Sequence, residues 1–345
     1  MVSNYDRLIH VASRAQIPLA ALFEVTHRCN LGCSHCYLTE GPVGRPRPTR
    51  DELALDEVRR ALDQLAEAGT FFLTLTGGEV FMRRDFLDIV AHARSLHFSV
   101  TIFTTGTLLT PTTAAELARL HPLSVEVSVY SASPEIHDRV TRIPGSHARS
   151  LRALRLLREH GVVILIKSPV MVLNTGEYHG IVELAAELGA GYGFDPLLIP
   201  RRDGDTTPLR LAAGRDQMRA FFSDPVLAKE FFQPVKCLPQ PGEELCGTGR
   251  RTCMISPYGD VFPCGVHPLP AGNLREQSFH EIWTGSPLLR ELRTKTIDDL
   301  RNGAKSLPGF RCSALALIED GDFLGPFRRG EALAELEAKV RNGRG

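Results

Sequence analysis

Three cysteines stand close together early in the chain, in the string Cys29-Asn-Leu-Gly-Cys33-Ser-His-Cys36-Tyr37. Thiolates are soft ligands suited to zinc or to iron–sulfur clusters. A structural zinc site wants four ligands, whereas a cubane held by three cysteines keeps one iron open to an outside ligand. His35 is the available fourth zinc ligand, but its place between Ser34 and Cys36 gives it poor reach toward the same metal. Zinc and unliganded core thiols stand as the alternatives to a cluster. Five more cysteines come much later: Cys237, Cys246, Cys253, Cys264 and Cys312. No Ser/His/Asp arrangement, Walker loop or dinucleotide glycine motif accompanies them. The 12 histidines show no metal spacing, and His267, near Cys264, reads as a surface residue.

Such ligands need a frame. Short apolar, β-rich runs lie near 19–26, 71–77, 99–105, 124–130, 162–171 and 192–199. Amphipathic stretches near 50–68, 83–96, 112–120, 148–160 and 178–188 separate them. Several open on cap residues and close at glycine, as at Thr49 and Gly69 or Ser146 and Gly161. The alternation predicts an α/β fold of six βα units with a parallel sheet, either open and doubly wound or part of a barrel. Both sheet types place active sites at the C-terminal ends of the strands. The first cysteine string falls directly after the first strand.

The 345 residues carry 40 Lys+Arg against 40 Asp+Glu, and 43% are hydrophobic. Zero net charge argues against general affinity for nucleic acid or an anionic membrane surface. No apolar run approaches the roughly 20 residues of a membrane helix, and the first 20 residues contain no continuous apolar signal core. A reducing cytoplasm is the expected compartment, so eight cysteines call for an explanation other than disulfides.

Cys29, Cys33 and Cys36 match the CxxxCxxC signature of radical S-adenosylmethionine (radical SAM) enzymes, and the resemblance runs over about 19–325. It implies a partial (β/α)6 TIM barrel in which the three cysteines hold a [4Fe–4S] cluster. The open iron would bind the methionine moiety of S-adenosylmethionine. Reductive cleavage would then release a 5′-deoxyadenosyl radical that abstracts hydrogen from substrate. Gly77, Gly78 and Glu79 resemble the family's GGE motif, expected at the methionine amino group. Two glycines admit close backbone approach, and a carboxylate complements an ammonium. Relatives often carry Asn where Thr105 stands before Gly106, which puts a ligand contact from Thr105 in doubt. Ser128, ending strand four, is the expected ribose contact. Lys167, Ser168, Asn174 and Asp195 are further residues that could face the barrel interior.

The stretch Cys246 to Cys264 resembles the opening of a SPASM or twitch auxiliary-cluster module. Twelve residues separate Cys246 from Gly259, and four separate Gly259 from Cys264. The turn at Tyr258–Asp260, with Pro263, should fold Cys264 back toward the other ligands. Trp283, the only tryptophan, sits in the matching Glu-Ile-Trp string as a core anchor. After Cys312 the dense cysteine run of a full SPASM module is missing, so a second auxiliary cluster is not expected. Cys246, Cys253, Cys264 and Cys312 make the natural ligand set for one auxiliary [4Fe–4S] cluster, or an open iron remains if Cys253 is not among them. A zinc ribbon is the alternative, and Cys237 is left as a spare thiol. The expected organisation is an N-terminal extension at 1–18, a barrel core at 19–200 and a linker and helix at 201–235. A cysteine module at 236–325 and a C-terminal helix with a basic tail at 326–345 complete it.

The resemblance implies a peptide substrate, as in ribosomal peptide maturation, although 1–18 is far too short for the leader-binding domain of many such relatives. The alternative is radical oxidation, decarboxylation or rearrangement of a sugar, aminocyclitol or tetrapyrrole intermediate. A metal-binding scaffold without catalysis is the reading from another class. A flavodoxin or ferredoxin is the expected electron donor.

Overall fold

The computed structural model describes residues 4–227, 242–301, 310–341 and 343. Among these, nine strands form one sheet in the order β6-β5-β4-β3-β2-β1-β7-β8-β9. Six are the parallel strands of the barrel: β1 (Ala20–Thr26), β2 (Phe72–Gly77), β3 (Ser99–Thr104), β4 (Ser124–Ser128), β5 (Ile164–Pro169) and β6 (Gly191–Asp195). This is the partial barrel that the βα alternation and the family resemblance predict. Along β1, Phe23 and Val25 enter the core under the outer helices. Strand alternation therefore turns Leu22 and Glu24 to the inner face.

The outer helices form where apolar residues recur at helical spacing. In α2 (Leu55–Glu67), Val58, Ala61, Leu62 and Leu65 make one buried stripe. Its N-cap is Ala54, five residues beyond Thr49, and α6 (Ser146–Glu159) is capped at Gly145. Thr49 and Ser146 are thus not the caps that the sequence suggests. Between β4 and β5, the helix α5 (Pro134–Thr141) has no counterpart among the periodic stretches. Its Ser133-Pro134 start was the available signal, since proline suits the first helical position.

The cysteine module does not begin at a break in the sheet. Its first strand, β7 (Thr252–Ile255), pairs in parallel with β1, and the hairpin continues through β8 (Asp260–Phe262) to β9 (Gly272–Asn273). Trp283 stacks on Phe279, and its indole N–H donates to the Gln16 carbonyl at 2.6 Å. The anchor expected within the module therefore also ties it to the chain entering β1. The helix Arg328–Arg341 packs against α8 (Arg215–Ser223), sharing a core around Phe221 and Phe222.

Candidate iron–sulfur and cofactor site

The loop after β1 is held on two sides. The N–H groups of Gly32 and Ser34 donate to the carbonyls of Thr141 and Val140, each at 3.0 Å, at the end of α5. The Val43 N–H donates to the Leu31 carbonyl at 2.9 Å, bracing the loop from the following segment. Cys36 N–H bonds back to the Cys33 carbonyl at 3.2 Å. These contacts gather Cys29, Cys33 and Cys36 at the C-terminal end of the barrel, as the spacing predicts.

The three thiols feel one another. Burial raises all of them, Cys33 to about 12, and neighbouring thiols add to the rise at Cys29 and Cys33. Part-buried cysteines whose thiolates would repel one another suit a cationic metal centre, whose binding expels the protons. Among the described residues no three His, Cys, Asp or Glu groups converge on a single ion. Three thiols suit a cubane that keeps one iron open, whereas a structural zinc site wants a fourth ligand. His35 is half-buried, its ring edge-on to Tyr130 at 4.9 Å, and burial lowers it to about 4.

Gly77 and Gly78 are required here for contact with protein backbone. Gly77 has φ of 137°, and a Cβ on it would stand 2.1 Å from the Thr26 carbonyl oxygen. A Cβ on Gly78 would meet the Arg28 and His27 carbonyl oxygens at 2.4 and 2.5 Å. The N–H groups of Gly78 and Glu79 donate to Thr26 and Arg28 carbonyls at 2.8 and 2.9 Å, so β2 props up the cysteine loop. Glu79 is fully buried, and its carboxylate accepts from Thr104 Oγ1 at 2.7 Å, the Thr105 N–H at 2.8 Å and the Thr105 hydroxyl. Besides the expected carboxylate–ammonium pairing, the side chain thus has a structural part, locking β2 to β3. Thr105 likewise serves Glu79, which its sequence position did not reveal.

Ser128 ends β4 on the inner face, half-buried and beside the Tyr130 phenol. Lys167 pairs with Glu126 at 3.3 Å and lies over the Phe103 ring. Asp195 accepts the Leu197 N–H at 2.9 Å, and burial raises its carboxyl. Ser168 and Asn174 do not face the interior. Ser168 shares the helix-facing side of β5 with Ile164 and Ile166, while Asn174 Nδ2 donates to the Tyr130 carbonyl at 2.8 Å.

The second cysteine group is divided. The Gly249 N–H donates to the Pro263 carbonyl at 3.0 Å, bringing the Cys246 and Cys264 segments together. Cys312 precedes the helix Ser313–Asp320, and its thiol is pushed to about 11 by burial, with Cys264 and Cys246 adding to the rise. Cys253 stands apart. It lies on β7 opposite Ala21, 2% exposed in the core with Phe279 and Trp283. Burial alone pushes its thiol to about 12, with no thiol neighbour contributing. Of the two ligand sets expected, this placement favours the one without Cys253, because β7 turns that thiol into the core. Cys237 lies outside the described residues. His267 is also corrected: it is 1% exposed, and its Nδ1 accepts the Leu269 N–H.

A polar cluster that sequence reasoning missed joins barrel to module. Glu24 is 1% exposed and is bonded by Tyr37 at 2.7 Å, His27 at 3.0 Å and Arg202 at 3.2 Å. Burial pushes its carboxyl up, but Arg202, His27 and Tyr37 outweigh that and hold it at about 2. Arg202 also lies over the Phe262 ring, and Tyr258 donates to Glu40 at 2.5 Å. All of these residues except Glu24 line a cavity of about 250 Å³. The signal was a lone carboxylate in an apolar strand.

Residues 23–188 match the sequence model of the radical SAM superfamily, and 246–306 match that of the SPASM iron–sulfur cluster-binding domain. The AdoMet-dependent heme synthase of Methanosarcina barkeri is 30% identical, across 89% of this chain and 94% of the relative. The chain belongs to the radical SAM superfamily. Mycofactocin maturase MftC of Mycolicibacterium smegmatis is 33% identical, across 85% of this chain and 77% of the relative. Streptococcus suis SuiB bound to S-adenosylmethionine shares the fold, with a TM-score of 0.70 at 16% identity, over 94% of this chain and 81% of SuiB. SuiB bound to its precursor peptide SuiA gives 0.66 at 15% identity, over 94% of this chain and 79% of SuiB. This radical SAM protein is an enzyme whose cofactors are [4Fe–4S] clusters and S-adenosylmethionine.

Proposed function

We propose that this radical SAM enzyme is a peptide maturase whose substrate loses hydrogen at the C-terminal mouth of the barrel. The observation that carries the reading is the gathering of Cys29, Cys33 and Cys36 on a loop propped by Gly77 and Gly78. The cluster these thiols would hold would supply the electron for cleavage of S-adenosylmethionine to methionine and a 5′-deoxyadenosyl radical. The protein's part is to bind and orient. The Gly77–Glu79 segment offers the methionine moiety its backbone, with the Glu79 carboxylate also bracing β3. Ser128 is assigned to the ribose.

Cys246, Cys264 and Cys312 would hold one auxiliary [4Fe–4S] cluster, whose remaining iron is not served by Cys253. An open iron or a ligand from outside the described residues completes it. The similarity to MftC, and the fold shared with SuiB, support the peptide class. A small-molecule substrate is the second reading, favoured by the heme synthase, which matches over nearly its whole length. Both readings call for a reducing cytoplasm and a flavodoxin or ferredoxin as electron donor.

Anaerobic reconstitution tests the cofactor assignment: roughly eight irons per chain are expected, with 5′-deoxyadenosine formed on reduction. Bound zinc without cofactor cleavage would sink it. A neighbouring gene for a short precursor peptide, modified when incubated with the enzyme, decides for the peptide. A neighbourhood of sugar or tetrapyrrole genes, with turnover of such an intermediate, decides for the small molecule.

A further inference from the structure

We propose that Tyr130 is a positioning residue for the barrel cluster, its phenol O–H donating to the Cys33 thiolate and raising the cluster's reduction potential. The inference rests on the assignment of Cys29, Cys33 and Cys36 as cluster ligands. Tyr130 Oη lies 3.7 Å from Cys33 Sγ, within reach of a hydrogen bond to sulfur. The residue is 5% exposed, so bulk water does not compete for the contact.

Its place is fixed from several sides. The Tyr130 N–H donates to His137 Nδ1 at 3.2 Å, and its carbonyl accepts from Asn174 at 2.8 Å. The rings of His35 and His137 flank it, with centroids 4.9 and 5.3 Å away. A ring held this way leaves its hydroxyl few directions, with the Ser128 side chain beside it at the end of β4. A ligating thiolate carries no proton, so between these two groups only the phenol can donate.

Hydrogen bonds to the sulfurs are among the factors that set a cluster's potential. Reduction adds electron density to the sulfur, so a fixed donor stabilises the reduced state more than the oxidised one. Cys29 and Cys36 receive the backbone N–H groups of Leu31 and Leu38. Cys33 has, besides its own backbone N–H, a side-chain donor that loses its hydroxyl by removal of one oxygen.

The test uses full-length protein in a Cys246→Ala/Cys264→Ala/Cys312→Ala background, so that only the barrel cluster is loaded, without S-adenosylmethionine. Redox titration followed by electron paramagnetic resonance gives the midpoint. Tyr130→Phe is expected to keep its iron and to show about a tenfold lower reduced-to-oxidised ratio at the same potential, about 59 mV for one electron. Ser128→Ala, which removes the hydroxyl beside the phenol, is expected to shift the midpoint upward. An unchanged or raised midpoint in Tyr130→Phe overturns the proposal. If Tyr130→Phe loads poorly, Ser128→Ala decides, and no upward shift there overturns it. Failure of the parent background to load iron would instead strike the ligand assignment, a separate and distinguishable outcome.

Discussion

The two cysteine groups are built in opposite ways. Cys29, Cys33 and Cys36 share one short loop, and the fold's task is to dock that loop on α5 and against the end of β2. Cys246, Cys264 and Cys312 come from a segment before β7, the end of a hairpin and the start of a helix. Local spacing brings the first group together, while long-range packing assembles the second. The contrast explains why one cysteine of the second group, Cys253, can lie in the stretch that resembles a cluster motif and yet face the core.

Breaking each group in turn gives the largest expected effects. Replacing Cys29, Cys33 and Cys36 by alanine should remove about half of roughly eight irons and abolish 5′-deoxyadenosine formation. Replacing Cys246, Cys264 and Cys312 should remove the other half and leave reductive cleavage intact. Iron analysis and product chromatography on the two triple variants check this. Loss of cleavage in both, with normal iron in the barrel site, would merge what the comparison separates.

The joint between the two regions comes next. Glu24→Gln strands Arg202 without its buried partner and should cost about 3–5 kcal/mol in denaturant unfolding. The same contact predicts a pH dependence. Glu24 is held at about 2 against an ordinary value of 4.5, so its stabilisation is complete above about 4.5. It should fall away as the pH drops from there toward 2, and the Gln variant should lack that component.

Smaller effects sharpen the picture inside each region. Gly78→Ala forces a Cβ against the Arg28 and His27 carbonyls and should cost about 1–3 kcal/mol, with iron in the barrel site lowered. Cys253→Ala opens a small cavity and should cost about 1–2 kcal/mol in thermal or denaturant unfolding. Its iron content should equal that of the unmodified chain. A loss of auxiliary iron in Cys253→Ala would restore it as a ligand.

Much of the frame was legible because helical and strand periods are local. The six barrel strands fall where the apolar runs lie, and α7 (Tyr178–Leu188) spans the stretch predicted for it. Strand pairing is not local, so nothing in the Thr252–Ile255 run announced that it would extend the barrel sheet beside β1. That pairing is also what buries Cys253. His267 misled for a related reason: a polar residue in a glycine- and proline-rich stretch reads as surface until its N–H···N contact and the Phe323 ring are seen.

By itself the sequence determined the ligand chemistry of the barrel site, since cysteines three and four residues apart cannot stray far from one another. It also determined the βα order that sets the Cys29–Cys36 loop at a strand end. Only the tertiary structure decided which later cysteines meet, that Glu79 braces β3 with its carboxylate, and that Tyr130 reaches Cys33. Those outcomes turn on which faces of distant segments pack together. A chain's spacing limits such contacts but does not choose among them.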